Sequence, residues 1–179
     1  MSGDPFASLI RSARRRPLWE AKATTHETSF GRDAIERMVP HRGAMLMLDE
    51  ITAVDFEQRG IRATRRIDVN DPAFVGHFPG EPVYPAFLQL EIVGQAGICL
   101  LDFLRRESLE VPASLRPRSL RLIKLHHGLL LAEIHPGDVL TALAVALVND
   151  ELTSIFAAQL IRDGTVCSTV IMEVCFVHP

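Results

Sequence analysis

His77 lies in the run Gly76-His77-Phe78-Pro79-Gly80-Glu81-Pro82-Val83-Tyr84-Pro85. Its prolines fix φ and remove amide donors while its glycines loosen the backbone, so the run predicts a shaped loop, not helix or regular strand. A histidine framed by neighbours with few conformations loses little entropy on acting. Alone, however, a loop histidine is more often a surface or structural residue. Glu91 follows in an oily segment, with Phe87, Leu88, Gly94 and Gln95 one turn away on its face of a helix. Burial there would disfavour the charged carboxylate and make Glu91 a proton donor near neutral pH. The alternative is a surface glutamate on an amphipathic helix. Together the two residues form a candidate acid/base pair.

Pro85 is suited to open that helix, where a missing N–H costs nothing. The first-turn amides of Ala86, Phe87 and Leu88 would then lack partners within the helix and carry the positive end of its dipole. Such amides can polarise a carbonyl, for instance that of a thioester, and steady the enolate formed when its α-proton leaves. Side chains or water could satisfy them instead. Other constellations point less far. His126-His127 and His135 have no Cys, Asp or Glu at metal-ligand spacing, so no metal site is expected. Ser119 and Ser154 lack the frame of an activated nucleophile. Arg105, Arg106, Arg116, Arg118 and Arg121 cluster after the helix and could meet an acidic carrier or a phosphate, or form a solvated basic face.

The elements that must position these residues belong to a chain of 179 residues, enough for one domain with a proper core. An apolar content of 47% excludes general disorder, and a net charge of −3 gives no basic field for nucleic acid. Cys99, Cys167 and Cys175 lie in apolar stretches without CxxC spacing, which predicts buried free thiols and a cytoplasmic, reducing setting. Residues 86–104 approach membrane-spanning length, yet Gln89, Glu91, Gln95 and Asp102 would be costly in lipid, so a helix wrapped by protein is expected and no membrane span. The arginines at 11, 14, 15 and 16 precede no long apolar run, which argues against a secretory signal.

Residues 1–32 show no sustained period and read as an N-terminal extension, mobile or docked on the surface, ahead of a single domain over 33–179. Asp33 can cap a short helix over 34–38 that Pro40 ends. Strands are predicted over 45–54 and 60–69, the second alternating Ile61, Ala63, Arg65 and Ile67 with polar neighbours. After the helix and a polar link over 105–117, further strands are predicted over 119–126, 139–148, 152–162 and 166–177. His135-Pro136-Gly137-Asp138, Asn149-Asp150 and Asp163-Gly164 supply the turns between them, which makes neighbouring strands antiparallel. Two strands, one long oily helix and a meander predict an α+β architecture, an antiparallel sheet wrapped around a long central helix. This is the arrangement called a hotdog. Its edge strands need protection, which favours pairing with a second copy.

Several of these residues carry a resemblance. His41-Arg42 ahead of a strand, the run from Gly76 to Pro85, Leu90-Glu91 with Gln95, and Pro136-Gly137-Asp138 resemble the FabZ-type 3-hydroxyacyl-(acyl carrier protein) dehydratases over about residues 33–177. The resemblance implies a hotdog fold, a homodimer, or a higher oligomer, with sites at the interface, and an acyl carrier protein or coenzyme A thioester as substrate. It implies that His77 removes the α-proton of a 3-hydroxyacyl thioester and that Glu91, from the other subunit, protonates the departing hydroxyl or holds the water it becomes. The amide of Ala86 would bind the thioester carbonyl, with Phe78, Gly80, Phe87 and Gln95 among the substrate contacts. A glutamate, where a sister group of dehydratase-isomerases has aspartate, favours simple dehydration. No cofactor is implied, because elimination β to a thioester needs only proton transfers.

The chain departs from the resemblance at Pro85-Ala86-Phe87-Leu88, where the family usually reads Pro-Gly-Val-Leu, and in a longer, oilier stretch over 126–134. Alanine keeps the amide but adds a methyl group, and Phe87 is bulkier than valine; both bear on substrate choice. Two alternatives remain at this stage. One is a hotdog thioesterase, in which Glu91 activates water, and the other is a non-catalytic subunit that binds acyl carriers.

Overall fold

The computed structural model describes residues 4–177. Seven strands form one antiparallel sheet in the order β1-β2-β3-β5-β6-β7-β4: β1 (His26–Gly31), β2 (Glu50–Asp55), β3 (Gly60–Arg66), β4 (Leu120–Leu130), β5 (Val139–Asn149), β6 (Thr153–Arg162) and β7 (Thr165–Phe176). Two short helices, α1 (Ala7–Ala13) and α2 (Arg32–Met38), flank it, and the long helix α3 (Ala86–Arg106) packs against its inner face. This is the hotdog arrangement expected from the sequence.

α3 has the length and hydropathy of a membrane span, but more than half of that span is buried inside the protein. Ile92, Val93, Ala96, Cys99, Leu100 and Phe103 are fully buried on successive turns, the spacing of one broad helix face. Each large side chain buried this way contributes roughly 1.5–3 kcal/mol relative to exposure. Gly97 lets the Phe156 ring of β6 lie directly on the helix backbone, where a Cβ would overlap the ring. Burial pushes the pKa of the Cys99 thiol up, and that of Cys167 in β7 too, which keeps both thiols protonated and inert.

The C-terminal hairpins follow the predicted turns. Arg162 pairs with Thr165 across Asp163-Gly164, both at positive φ, and Asn149 pairs with Ser154. β4 is longer than predicted, running on past His126 to Leu130. Residues 46–48, expected as strand, are buried and extended without a strand neighbour. Their backbone is bonded by side chains instead: Met47 N–H donates to Gln95 Oε1, and Arg32 donates to the carbonyls of Leu46 and Leu48. α2 begins two residues earlier than Asp33 would set it, with Gly31 as its uncapped start.

The N-terminal segment differs most from its expected form. β1 lies within the stretch assigned to an extension and is a full edge strand, paired with β2. α1 docks on the outer face of the sheet, where Ile10 meets Ala157 and Ile171. The buried Gln159 carboxamide accepts from Leu18 N–H and donates to the Ala13 and Arg16 carbonyls. Trp19 donates to the Ile61 carbonyl and lies on Gly60 so closely that a Cβ there would stand 2.9 Å from the ring. These contacts are few and widely spaced in sequence, so no period announces them.

Candidate active site

The loop ahead of α3 closes on itself through its backbone. Phe78 N–H donates to the Glu81 carbonyl and Glu81 N–H to the Phe78 carbonyl, while Val83 N–H donates to His77. Gly80 turns this loop at φ +82, a region that only glycine enters without cost. The His77–Phe78 peptide is cis. Phe78 stacks on the His77 ring at 4.0 Å between centroids and is half-exposed. His77 Nδ1 lies 2.9 Å from the Val83 carbonyl. A carbonyl only accepts, so in the neutral ring Nδ1 carries the hydrogen and Nε2 holds a free lone pair. Nε2 is therefore the nitrogen able to take a proton.

Ala86 starts α3 after Pro85, and no side chain caps the helix. Leu88 N–H is already bonded to the Pro85 carbonyl, which removes it from the three amides expected to be free. Ala86 lines a cleft of about 240 Å³ together with His77, Val83 and Gln89. Gln89, which the sequence marks only as a polar residue within the oily helix, is almost fully buried and its Oε1 has no hydrogen-bond partner among the described residues.

Glu91 faces a second, larger cleft of about 450 Å³, whose other lining is largely apolar and includes Phe87, Ile98, Leu122 and Met172. Its side chain is 32% exposed in the single chain, less buried than the sequence suggested. Oε1 of Glu91 accepts from Gln95 Nε2 at 2.7 Å and lies 3.1 Å from His41 Nε2. Phe87 is 84% exposed at the mouth of this cleft.

Gln95, expected among the substrate contacts, is placed elsewhere. It is fully buried, and its carboxamide is taken up by Met45 O, Met47 N–H and Glu91. It holds Glu91 and the loop beside it and has no polar atom left for a substrate. His77 and Glu91 line different clefts, so a single chain does not bring them together. Of the other histidines singled out in the sequence, His126 pairs with Glu173 at 2.7 Å, His127 with Asp4 at 2.9 Å and His135 with Glu133 at 3.7 Å. Among the described residues no group of three or more His, Cys, Asp or Glu side chains is gathered for a metal.

The FabA-like domain model matches residues 39–170, the span that holds His77, Ala86 and Glu91. The chain belongs to the FabA-like family. Within it, the chain is 32% identical over 112 residues to the 3-hydroxyacyl-(acyl-carrier-protein) dehydratase FabZ of Chlamydia trachomatis, covering 63% of this chain and 69% of that one. It is 29% identical over 116 residues to the FabZ of Xanthomonas oryzae pv. oryzae, covering 64% of this chain and 71% of the relative. Among solved structures, the dehydratase heterocomplex ApeI:P from Xenorhabdus doucetiae shares the fold at a TM-score of 0.65 and 18% identity, over 80% of this chain and 91% of that one. The E. coli PaaI protein of the phenylacetic acid degradation operon shares it at a TM-score of 0.53 and 11% identity, over 72% of this chain and 78% of that one. Both are likenesses of fold. The family assignment rests on the domain match and the FabZ relatives.

Proposed function

We propose that this FabA-like chain is a hydro-lyase that converts a 3-hydroxyacyl thioester, carried by acyl carrier protein or coenzyme A, into the trans-2-enoyl thioester and water. The observation that carries this reading is that the chain offers both a histidine whose Nε2 is free to take a proton and a carboxyl group that faces an apolar cleft. Nε2 of His77 removes the α-proton, and the electron pair moves into the thioester carbonyl, where the Ala86 amide at the uncapped start of α3 stabilises the enolate. Collapse of the enolate expels the β-hydroxyl, which Glu91 protonates, so that water leaves and the proton from His77 restores the acid. Phe87 and Phe78, both exposed beside the two clefts, would contact the acyl chain or its carrier arm.

Because His77 and Glu91 line separate clefts, the reading requires a second copy, with His77 of one protomer facing Glu91 of its partner. β4 supports this. It is an edge strand of 11 residues, and Leu122, Ile123, Leu125 and Leu130 on it are all more than two-fifths exposed. A cytoplasmic setting accords with the free, buried thiols of Cys99 and Cys167.

Incubation with a 3-hydroxyacyl carrier thioester, or a short thioester mimic, is expected to raise enoyl absorbance, and His77→Ala and Glu91→Gln are each expected to abolish the rise. Release of free thiol without enoyl product would replace this reading with a thioesterase. Binding without turnover, insensitive to His77→Ala, would replace it with a carrier-binding subunit.

A further inference from the structure

His41 stands in the conspicuous pair His41-Arg42, which the reaction above leaves without a task. The structure separates the two side chains. Arg42 turns back on the end of α2 and donates to the carbonyls of Glu36, Val39 and His41, which ties down the loop that follows Pro40. Arg32 and Gln95 hold the same loop further along, at Leu46, Met45 and Met47. His41 points the other way, and its Nε2 lies 3.1 Å from Glu91 Oε1 in a setting where its side chain is 23% exposed.

Oε1 of Glu91 already accepts from Gln95, whose own groups are all bonded and whose orientation is therefore fixed. Oε1 serves as the acceptor for Gln95, which puts the proton of the acid on Oε2, so the 3.1 Å approach of His41 calls for hydrogen on Nε2. His41 Nδ1 is buried and has no hydrogen-bond partner among the described residues, consistent with its being the bare nitrogen of a neutral ring. Gln95 Nε2 thus donates to one oxygen of Glu91, and His41 Nε2 stands within ion-pair distance of the same atom. The other, Oε2, is left to exchange a proton.

We propose that His41 is a positioning residue: with Gln95 it holds Oε1 of Glu91 so that Oε2 is the oxygen presented to the substrate. The proposal rests on the dehydratase reading for its kinetic consequence, but the contact itself can be tested apart from it. In the full chain, His41→Ala is expected to lower kcat by roughly ten- to a hundred-fold while KM stays within about two-fold, because the carboxyl group is bound less well oriented and the substrate is not. His41→Gln, whose Nε2–H can reach a similar point, is expected to recover most of that rate. An unchanged kcat in His41→Ala, or a His41→Gln enzyme as slow as His41→Ala, overturns the proposal. Nitrogen-15 spectra of the imidazoles in the wild-type chain supply the second readout: His41 should carry its hydrogen on Nε2, and Glu91→Ala should shift that resonance. A His41 signal indifferent to Glu91→Ala also overturns it. If the wild-type chain forms no enoyl product, the dehydratase reading falls, and the imidazole spectrum alone decides whether His41 holds Glu91.

Discussion

The loop that carries His77 is held by its own backbone, through the Phe78–Glu81 and His77–Val83 hydrogen bonds, whereas Glu91 is held by the side chains of Gln95 and His41, which come from two separate segments. The first arrangement is local and depends on conformational preference: the right dihedral at Gly80, the right prolines around it. The second is tertiary and depends on a few polar atoms having no other partners. The two halves of the proposed site should therefore fail in different ways. Backbone changes should blunt the histidine half, and polar deletions the carboxyl half.

The largest effect tests whether the halves belong to one site. His77→Ala and Glu91→Gln are each expected to cost about 100- to 10,000-fold in kcat. Mixing and reassembling the two inactive variants should restore up to about a quarter of wild-type activity, since half of the dimers are mixed and each holds one intact site. No recovery on exchange, with dimers shown to have mixed, would sink the shared site.

Gln95→Leu comes next. It strips a donor from Glu91 and from Met45 O and leaves Met47 N–H buried without a partner, for an expected loss of about 1–3 kcal/mol in denaturant unfolding along with a lower kcat. Full stability with full activity would show that the tertiary arrangement is not what holds Glu91. Gly80→Ala probes the local half. Nothing lies within 4 Å of the added Cβ, so only the positive φ is penalised, at about 1 kcal/mol. The expected result is a small shift in melting temperature and a clear fall in kcat.

Asp55 belongs to neither half and serves as a control. Burial alone would push its pKa up, but the backbone and side chain of Gln58 and the hydroxyls of Thr25 and Thr24 outweigh that and hold it well below the usual carboxylate range. A carboxyl group depressed in the folded state contributes stability that is complete above its unfolded value, near pH 4, and is lost as pH falls from there toward the folded value. Asp55→Asn should flatten this acid limb of the stability profile and leave kcat near neutral pH unchanged.

The local half was the more legible in the sequence. Glycine and proline act through the backbone of their own neighbours, so the loop around His77 and the start of α3 could be read directly. The Asp163-Gly164 turn and the oily helix were readable for the same reason. The geometry around Glu91 was not, because nothing local in residues 41–47 says that their backbone and an imidazole will meet residues 91 and 95. The strand expected over 45–54 failed for that same cause: the apolar run was real, but side chains and not a neighbouring strand satisfy its first part. β1 and α1 give no sequence signal because α1 buries only Ile10 and Ala13 and β1 half-buries only Thr28 and Phe30, too few to produce a period. The resemblance makes Gln95 a substrate contact, whereas its complete burial and its bonds to Met45, Met47 and Glu91 occupy it within the protein.

The docked N-terminal segment bears on where this protein can be cut. Gln159 sits mid-strand with its carboxamide turned to the backbone of residues 13, 16 and 18, and Thr169 donates its hydroxyl hydrogen to the Ala13 carbonyl. A fragment beginning at residue 33 would keep every residue of the two clefts yet lose β1 and strip a partly apolar sheet face of its cover. Such a fragment should express poorly or self-associate through that face, so the boundaries that describe the family are not the boundaries within which this chain folds.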